Sequence, residues 1–256
     1  MSTSLLSERE GRLLRLTLNR PEKRNALNLE LCQALADACD AADADPGVGA
    51  ILLEANGKSF CSGMDLKEVL GVDSAAINTA HERLFSVGVR LNKPLVAAVQ
   101  GAALAGGTGL VAACHVVVAA EDAQFGLTEV RIGLWPFVVL RGVIQAVGER
   151  RALEWSLTGR ICGAREAAEC GLVHQVVPRG ELQAHARQVA AALAASSPAV
   201  LRSGLTSFRL IRGLSWEQAG RVCRSLRDEN FETPDCQEGI RAFLEKRPPR
   251  WPSLEP

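Results

Sequence analysis

The 256-residue chain contains no tyrosine, and aromatic residues make up only 4% of it, whereas hydrophobic residues make up 47%. The core is therefore predicted to be aliphatic and rich in alanine. Because α/β folds of this length often form a single domain, we expect one main domain with a helical appendage.

Net charge is also lacking. The chain carries 29 basic and 29 acidic residues, so it has no overall positive field of the kind that nucleic acid or an anionic membrane requires. An anionic ligand must instead be bound by a local cluster of cations. We expect a small-molecule partner, no nucleic acid and no membrane.

Paired cysteines and long apolar runs are absent as well. The eight cysteines form no CxxC pair, which argues against a zinc centre or a disulfide framework. The N-terminus is charged within its first ten residues and lacks the apolar segment of a signal peptide. The longest apolar stretch, Leu110–Ala120, is interrupted by His115 and is too short to span a bilayer. These observations predict a cytoplasmic protein that binds no metal.

Short aliphatic runs alternate with segments of helical periodicity, which predicts an α/β fold with a largely parallel sheet. Strands are predicted at 12–19 (RLLRLTLN), Val48–Glu54, Pro94–Gly101, His115–Ala120 and Leu172–Val177. Helices are predicted from Asn28 to about Ala44, at Gly106–Cys114, in three glycine-terminated segments between 141 and 171, and over Glu181–Ala195 and Trp216–Phe243. With a hinge at Ser196-Ser197-Pro198, the chain divides into a core of residues 1–195 and a helical region of residues 196–256.

Two segments share one design, in which an apolar strand leads into a turn of small residues that opens a helix. They are the first loop, Ser59–Leu66, and the second loop, Gly101–Gly109. Small residues let a ligand approach the backbone, and amides at a helix N-terminus are unpaired and partly positive. The two loops could together bind an oxyanion, although either alone is equally typical of a tight turn. Neither matches a nucleotide-binding glycine motif.

Glu129 lies in the segment FGLTEVRIGLWP, between a strand-like run and an apolar run. Burial without a cation would raise its pKa toward a value useful for proton transfer near neutral pH. The local sequence alone favours an exposed or N-capping glutamate, and an ion pair with Arg131 is a further alternative. The histidines are scattered, and no Ser-His-Asp arrangement is evident.

Together these segments resemble the crotonase superfamily, the enoyl-CoA hydratase/isomerase family. The matching pieces are NRPEKRNALN at 19–28, FCSGMDL at 60–66, the segment 93–134 and LTGRICGAREAAECGLVHQVVP at 157–178. The resemblance implies a crotonase-like spiral of ββα units with a C-terminal helical region that forms a homotrimer or a hexamer. It also implies an acyl-CoA substrate, with coenzyme A as part of the substrate and no separate cofactor.

The resemblance places the two oxyanion amides on Met64 and Gly106 and the catalytic acid/base on Glu129. Substrate contacts are expected at Lys23, Arg24, Ala26, Ser62, Asp65, Leu66, Gly107, Gly109, Leu134 and Phe137. Lys23 and Arg24 would supply the local positive charge for the phosphates of coenzyme A. The basic pair Lys246-Arg247 is expected to reach the coenzyme A of a neighbouring subunit.

Two departures from the family pattern bear on the reaction. Gly109 stands where typical hydratases of the family have one of two catalytic glutamates, and Pro136–Leu140 replaces the usual Pro-Gly-Ala-Gly-Gly turn. Hydration divides its work between two carboxylates, whereas moving a double bond from C3 to C2 needs one base. This favours Δ3–Δ2-enoyl-CoA isomerisation with Glu129 as the base.

Two other functions stay open. A hydratase could use His81 or Glu82 as a substitute acid, although both residues are also typical of a solvated helix face. A catalytically degenerate acyl-CoA-binding protein is the third interpretation. The neutral charge argues against a structural RNA-binding relative.

Overall fold

The computed structural model describes residues 4–69 and 74–254, which form two β-sheets surrounded by helices. Its strands are β1 (Leu5–Glu10), β2 (Leu13–Leu18), β3 (Ala50–Ala55), β4 (Leu95–Val99), β5 (Ala102–Leu104), β6 (Val116–Ala120), β7 (Gln124–Gly126), β8 (Cys162–Gly163) and β9 (Gln175–Val177). All five predicted strands are present, and β9 is shorter than predicted.

The chain alternates between the two sheets. The larger sheet has the order β1-β2-β3-β4-β6-β9, and all its pairings except β1-β2 are parallel; the smaller has the order β5-β7-β8. Consecutive strands, β4 then β5 and β6 then β7, enter different sheets before the chain continues into a helix. This is the ββα spiral that the sequence resemblance implies.

Twelve helices are described: α1 (Leu29–Ala44), α2 (Leu66–Val69), α3 (Ser74–Phe85), α4 (Val87–Arg90), α5 (Gly106–Ala112), α6 (Phe137–Val147), α7 (Glu149–Thr158), α8 (Ala164–Glu169), α9 (Leu182–Ala194), α10 (Pro198–Leu210), α11 (Trp216–Phe231) and α12 (Pro234–Leu244). Short 3-10 helices cover Pro21–Lys23, Glu129–Ile132, Arg179–Glu181 and Pro252–Leu254. None of the described helices is long and apolar enough to cross a membrane.

The larger sheet is buried on both faces, as its continuous aliphatic strands require. In β3, Ala50 and Leu52 pack toward α9, while Ile51 and Leu53 belong to the main core on the opposite face. Helix α9 meets the sheet through a stripe of small residues at four-residue spacing, Ala186, Ala190 and Ala194. The core is therefore aliphatic and alanine-rich, as predicted.

Several features of the fold were not predicted correctly, among them strands β5 and β8 of the smaller sheet. Strand β1 was missed because only Leu5 of its six residues is buried, so it lacks the apolar pattern of a strand. A helix over Trp216–Phe243 is wrong, because α11 ends at Phe231 and α12 begins at Pro234. The Thr233 side chain accepts a hydrogen bond from the Cys236 amide and caps α12.

The segment around Ser197, which was expected to be a hinge, is held in place by hydrogen bonds. Ser197 caps α10 by accepting from the Val200 amide at 3.1 Å, and its hydroxyl donates to the buried Asp235 carboxylate. The Trp251 indole donates to the Ala195 carbonyl at 2.8 Å. The start of helix α10, a helix that was not predicted, is therefore fixed by these bonds. The domain boundary at 195/196 stays a prediction.

Candidate active site

The first and second loops lie side by side in the fold. The Cys61 amide donates to the Ala102 carbonyl and the Leu104 amide donates to the Cys61 carbonyl, both at 3.0 Å. On its other side the first loop is held by Leu27, whose amide donates to the Gly63 carbonyl at 2.8 Å. The first loop is thus fixed between the segment before α1 and strand β5.

The two loops touch where their glycines meet. A Cβ placed on Gly63 would lie 2.9 Å from the Ala105 Cβ and 3.2 Å from the Gly106 amide nitrogen. A Cβ on Gly107 would lie 2.2 Å from the Cys61 carbonyl oxygen. The small residues are therefore needed so that one loop can approach the other, which explains their pattern in the sequence.

This contact leaves two backbone donors near each other. Within residues 4–69 and 74–254, neither the Met64 amide nor the Gly106 amide has a hydrogen-bond acceptor. In each loop the preceding residue has a positive φ, +92° at Gly63 and +51° at Ala105. Gly106 is also the first residue of α5, where the amide has no partner inside the helix. Both amides are therefore available to donate hydrogen bonds to a ligand.

Glu129 opens the 3-10 helix that follows β7. Its side chain is half-buried, and the Oε2 atom is inaccessible and has no hydrogen-bond partner in the described part of the chain. Burial raises the pKa of Glu129, and a hydrogen bond from its own amide offsets this only in part. Among the described side chains Glu129 forms no ion pair with Arg131, and its Oε2 atom stays without a partner. The alternatives of an exposed or ion-paired glutamate are therefore wrong.

The space beside Gly109 is filled. A Cβ on Gly109 would lie 2.2 Å from the Val139 Cγ1 atom and 3.4 Å from the Phe85 Cδ1 atom. Val139 is fully buried in the first turn of α6, within the segment that replaces the Pro-Gly-Ala-Gly-Gly turn. The two departures from the family pattern are thus one feature of the structure, because Val139 occupies the volume that a side chain at position 109 would need.

Two of the predicted substrate contacts, Leu134 and Phe137, lie at the surface. The Leu134 amide donates to the Glu129 carbonyl at 3.1 Å, so the backbone places Leu134 next to Glu129. The Leu134 side chain is 43% exposed and the Phe137 side chain 78% exposed. In the isolated chain neither side chain is enclosed by its surroundings.

The predicted coenzyme A contacts cluster at the start of the first loop. Lys23 and Arg24 are exposed, and the Ser62 amide donates to the Arg24 carbonyl at 3.0 Å. Leu66 is exposed, while Ala26 is buried. The structure therefore places two exposed cations next to the first loop, and their contact with coenzyme A stays a prediction.

Asp65 has a different surrounding from the others. Its carboxylate accepts a hydrogen bond at 3.0 Å from Arg20, which also donates to the Ala26 carbonyl at 2.5 Å. The buried Asn25 side chain binds the Arg20 amide and the Ser59 carbonyl. Arg20 and Asn25, which were not predicted to be site residues, hold the first loop in place. Both residues lie in NRPEKRNALN, one of the segments that carry the family resemblance, and this position could have identified them.

The two substitute acids do not occupy the space at Gly109. His81 is buried, so its assignment to a solvated helix face is wrong; its ring lies 5.8 Å from the Phe85 ring. Burial lowers the pKa of His81, and Glu68 partly offsets this effect. Glu82 is exposed as expected and lines a cavity of about 790 Å³ between α3, α4, α6 and α10.

Of the basic pair Lys246-Arg247, only Lys246 is free of acidic partners in the described part of the chain. Arg247 donates to both carboxylate oxygens of Glu238, at 2.6 and 2.9 Å, and to Glu245. Lys246 is exposed. Contact of Lys246 with the coenzyme A of another subunit stays a prediction, whereas Arg247 already has acidic partners in its own chain.

The structure offers no alternative chemistry at the two loops. Burial raises the pKa of the Cys61 thiol to about 12, so it is not a thiolate near neutral pH. No group of three His, Cys, Asp or Glu side chains placed to hold a metal ion occurs in the described residues. The candidate groups are two backbone donors and one carboxylate, which lies three residues after the Gly126 carbonyl that accepts from the Ala105 amide.

Known proteins share this arrangement of the chain. The family model described as enoyl-CoA hydratase/isomerase matches residues 8–253. A Thermus thermophilus protein that carries an enoyl-CoA hydratase name is 40% identical over 248 residues, which cover 94% of this chain and 98% of that protein. The 2,3-dehydroadipyl-CoA hydratase of Escherichia coli is 36% identical over 249 residues, covering 96% and 98%. A Mycobacterium smegmatis enoyl-CoA hydratase structure matches with a TM-score of 0.92 at 32% identity, covering 98% and 99%.

Proposed function

The chain belongs to the enoyl-CoA hydratase/isomerase family, and we propose that it isomerises Δ3-enoyl-CoA to Δ2-enoyl-CoA with Glu129 as its single base. The observation that carries this proposal is the packing of Val139 against Gly109, at the position of the second glutamate in typical hydratases of the family. One carboxylate is sufficient for the proton transfer but not for the usual hydration.

In the proposed reaction the thioester carbonyl accepts hydrogen bonds from the Met64 and Gly106 amides. Glu129 removes a proton from C2, the electrons move onto the carbonyl oxygen as an enolate, and the same carboxyl group returns the proton at C4. Preorganised donors stabilise the developing oxyanion, and losing one such donor typically costs ~2.7–4 kcal/mol of activation free energy. The raised pKa of Glu129 makes it a stronger base than an ordinary carboxylate.

Hydration is the second candidate, because the similar proteins carry hydratase names. It would require another acid to position the water. His81 packs against Phe85, and Glu82 lines a cavity that Phe85 also lines. The atoms nearest to a Cβ at Gly109 belong to Val139 and Phe85, so neither acid occupies the space of the missing glutamate. We therefore propose isomerisation first, on the packing at Gly109.

Coenzyme A is proposed to bind over the start of the first loop. Lys23 and Arg24 are exposed and would meet its phosphates, as the neutral chain requires a local cluster of cations. The reaction transfers no electrons between substrate and protein, so we propose that it needs no cofactor beyond the coenzyme A of the substrate. We also propose that the protein is located in the cytoplasm.

A homotrimer or hexamer is proposed from the C-terminal helices. Large apolar side chains are exposed there, including Phe208 (71%), Trp216 (90%) and Phe243 (83%). Exposed apolar surface of this kind is typical of subunit interfaces. Light scattering of the purified protein tests this proposal, and a monomer would contradict it.

The function is tested by assaying isomerisation of a 3-enoyl-CoA with the wild-type protein and Glu129→Gln. We expect turnover by the wild type and its loss in the variant, with binding of a saturated acyl-CoA retained in both. If the protein only binds acyl-CoA, replacing Glu129 will change nothing measurable in turnover, and that result would reject the proposal.

A further inference from the structure

We propose that Thr108 is a positioning residue that holds the Gly106 amide in its donating orientation relative to Glu129. The inference rests on the proposed function, because it assigns Thr108 a role in the same oxyanion site. Thr108 lies within the second loop and is completely buried in the first turn of α5.

The Thr108 hydroxyl joins three parts of the site. Its Oγ1 lies 2.7 Å from the Ala103 carbonyl of β5 and 3.0 Å from the Gly126 carbonyl of β7, and it accepts from the Gly126 amide at 3.0 Å. A hydroxyl has one proton, so it donates to one carbonyl at a time while accepting from the amide. The turn of α5 that begins with Gly106 is thereby fixed to the strand that leads to Glu129.

Gly126 connects this network to the second loop. Its carbonyl also accepts a hydrogen bond from the Ala105 amide at 2.8 Å. Three residues later the chain reaches Glu129. Gly126 therefore links the residue that precedes the Gly106 donor to the segment that carries the base.

A fixed anchor is needed because Ala105 is strained. Its φ of 51° and ψ of −119° resemble the first central position of a type II′ turn, which glycine dominates. Alanine keeps such a conformation only where the surroundings over-determine it. Without the Thr108 hydroxyl, we expect Ala105 to relax to a negative φ. The peptide group between Ala105 and Gly106 would then rotate and turn the Gly106 amide away from the oxyanion position.

The first test measures the oxyanion site directly. Butyryl-CoA labelled with ¹³C at the thioester carbonyl is bound to the protein, and the carbonyl stretching frequency is recorded by difference infrared spectroscopy. Two strong donors lower this frequency relative to free butyryl-CoA. We expect Thr108→Val to lose at least half of the lowering and Thr108→Ser to retain it. Thr108→Ala serves as a second deletion if the valine variant does not fold.

As a matched control, a buried hydroxyl is removed from α7, outside the two loops. Ser156 is completely buried in α7 and donates to the Ala152 carbonyl of its own helix at 2.7 Å. Ser156→Ala should keep the full frequency shift. A role limited to stability would move the melting temperature of Thr108→Val and leave its carbonyl frequency unchanged.

The second test uses the strain at Ala105. Glycine adopts the observed conformation without cost, so Ala105→Gly should restore most of the lost frequency shift to the Thr108→Val protein. In the isomerase assay we expect Thr108→Val to lower kcat at least tenfold with less than a threefold change in KM, and the double variant to recover kcat.

The outcomes separate this inference from the proposed function. A wild-type shift that survives in both Thr108→Val and Thr108→Ala overturns the role of Thr108 and leaves the oxyanion site intact. A Thr108→Ser protein that behaves like the valine variant also overturns it. If the wild type shows no shift with bound butyryl-CoA, the oxyanion site itself is wrong, and this inference is rejected with it.

Discussion

The candidate site has two walls of different construction. The backbone wall is formed by the two loops and presents the Met64 and Gly106 amides. The side-chain wall is formed by Glu129 and by the contact between Gly109 and Val139. The backbone wall consists of closely packed small residues, with positive φ at Gly63 and Ala105. The side-chain wall consists of a carboxylate whose Oε2 atom has no partner among the described residues, and of the apolar Val139.

The difference between the walls separates what binds the substrate from what selects the reaction. A Cβ added at Gly63 or Gly107 would lie 3.1 Å or 2.2 Å from a backbone oxygen of the other loop, so these two positions are tightly restricted. The side-chain wall tolerates exchange of one group for another, provided that their volumes compensate. The reaction type can therefore change while the thioester site stays the same.

The largest effect is expected from the base on the side-chain wall. Glu129→Gln should lower isomerisation by a factor of about 10²–10⁴, because the amide cannot accept the C2 proton. In the wild type, kcat/KM should rise with pH through a pKa above the ordinary glutamate value, since only the carboxylate is active and its pKa is raised. An acid limb at an ordinary or lower pKa would contradict the assignment.

The backbone wall is broken by Gly63→Ala. The added Cβ would lie 2.9 Å from the Ala105 Cβ at a φ of +92°, so the two loops must separate. We expect isomerisation to fall by about 10²–10³, as for loss of one oxyanion donor. Gly213→Ala is the control, because Gly213 has a φ of +79° but a Cβ there meets nothing within 4 Å. Equal losses in both variants would reject the account.

The side-chain wall can be rebuilt toward hydration. Gly109→Glu alone overpacks against Val139 and should destabilise the protein by about 1–3 kcal/mol. The double variant Gly109→Glu with Val139→Gly has room for the second carboxylate, so it should hydrate 2-enoyl-CoA faster than either single variant. Hydration and thermal unfolding are measured on all three. A double variant no better than Gly109→Glu would show that Val139 is not the obstacle.

Glu129 is also expected to destabilise the fold at neutral pH. A raised pKa means that the folded state holds the proton more tightly than the unfolded chain, so stability falls as pH rises from the unfolded to the folded pKa. Glu129→Gln should therefore raise the unfolding free energy by about 1 kcal/mol near pH 7 and by less below pH ~4. Chemical denaturation at both pH values measures the difference, and a destabilised variant at pH 7 would contradict the unpaired carboxylate.

The smallest effect is expected at the exposed cations beside the backbone wall. Lys23→Ala and Arg24→Ala should each raise KM by roughly two- to fivefold with little change in kcat, because each side chain contributes a solvent-exposed contact. Salt should weaken these contacts. Arg165→Ala, at an exposed arginine of α8, is the control. An unchanged KM in both variants would place the phosphates of coenzyme A elsewhere.

The backbone wall and the parallel strands were accessible from the sequence because they depend on local residue types. Asn28 before a helical repeat predicted the start of α1, and the small residues around Gly63 and Gly106 predicted the close loops. Glu129 was identified as a candidate, but its burial depends on segments remote in sequence. Its unpaired state could only be observed in the structure.

The contacts that the sequence did not reveal join distant segments. Nothing in the local pattern pairs Val139 with Gly109, Arg20 with Asp65 or Thr108 with Gly126. The break between α11 and α12 is different, since Thr233-Pro234 is a typical helix start and could have been recognised. Long-range packing, rather than local propensity, limited the prediction of the side-chain wall.

The most direct test of the account is the ratio of two activities in one preparation of the wild-type protein. Its kcat/KM for converting a 3-enoyl-CoA to the 2-enoyl-CoA is compared with its kcat/KM for hydrating a 2-enoyl-CoA of the same chain length. Because Val139 fills the space of the second carboxylate, isomerisation should be the faster reaction. Robust hydration with weak isomerisation would contradict the account.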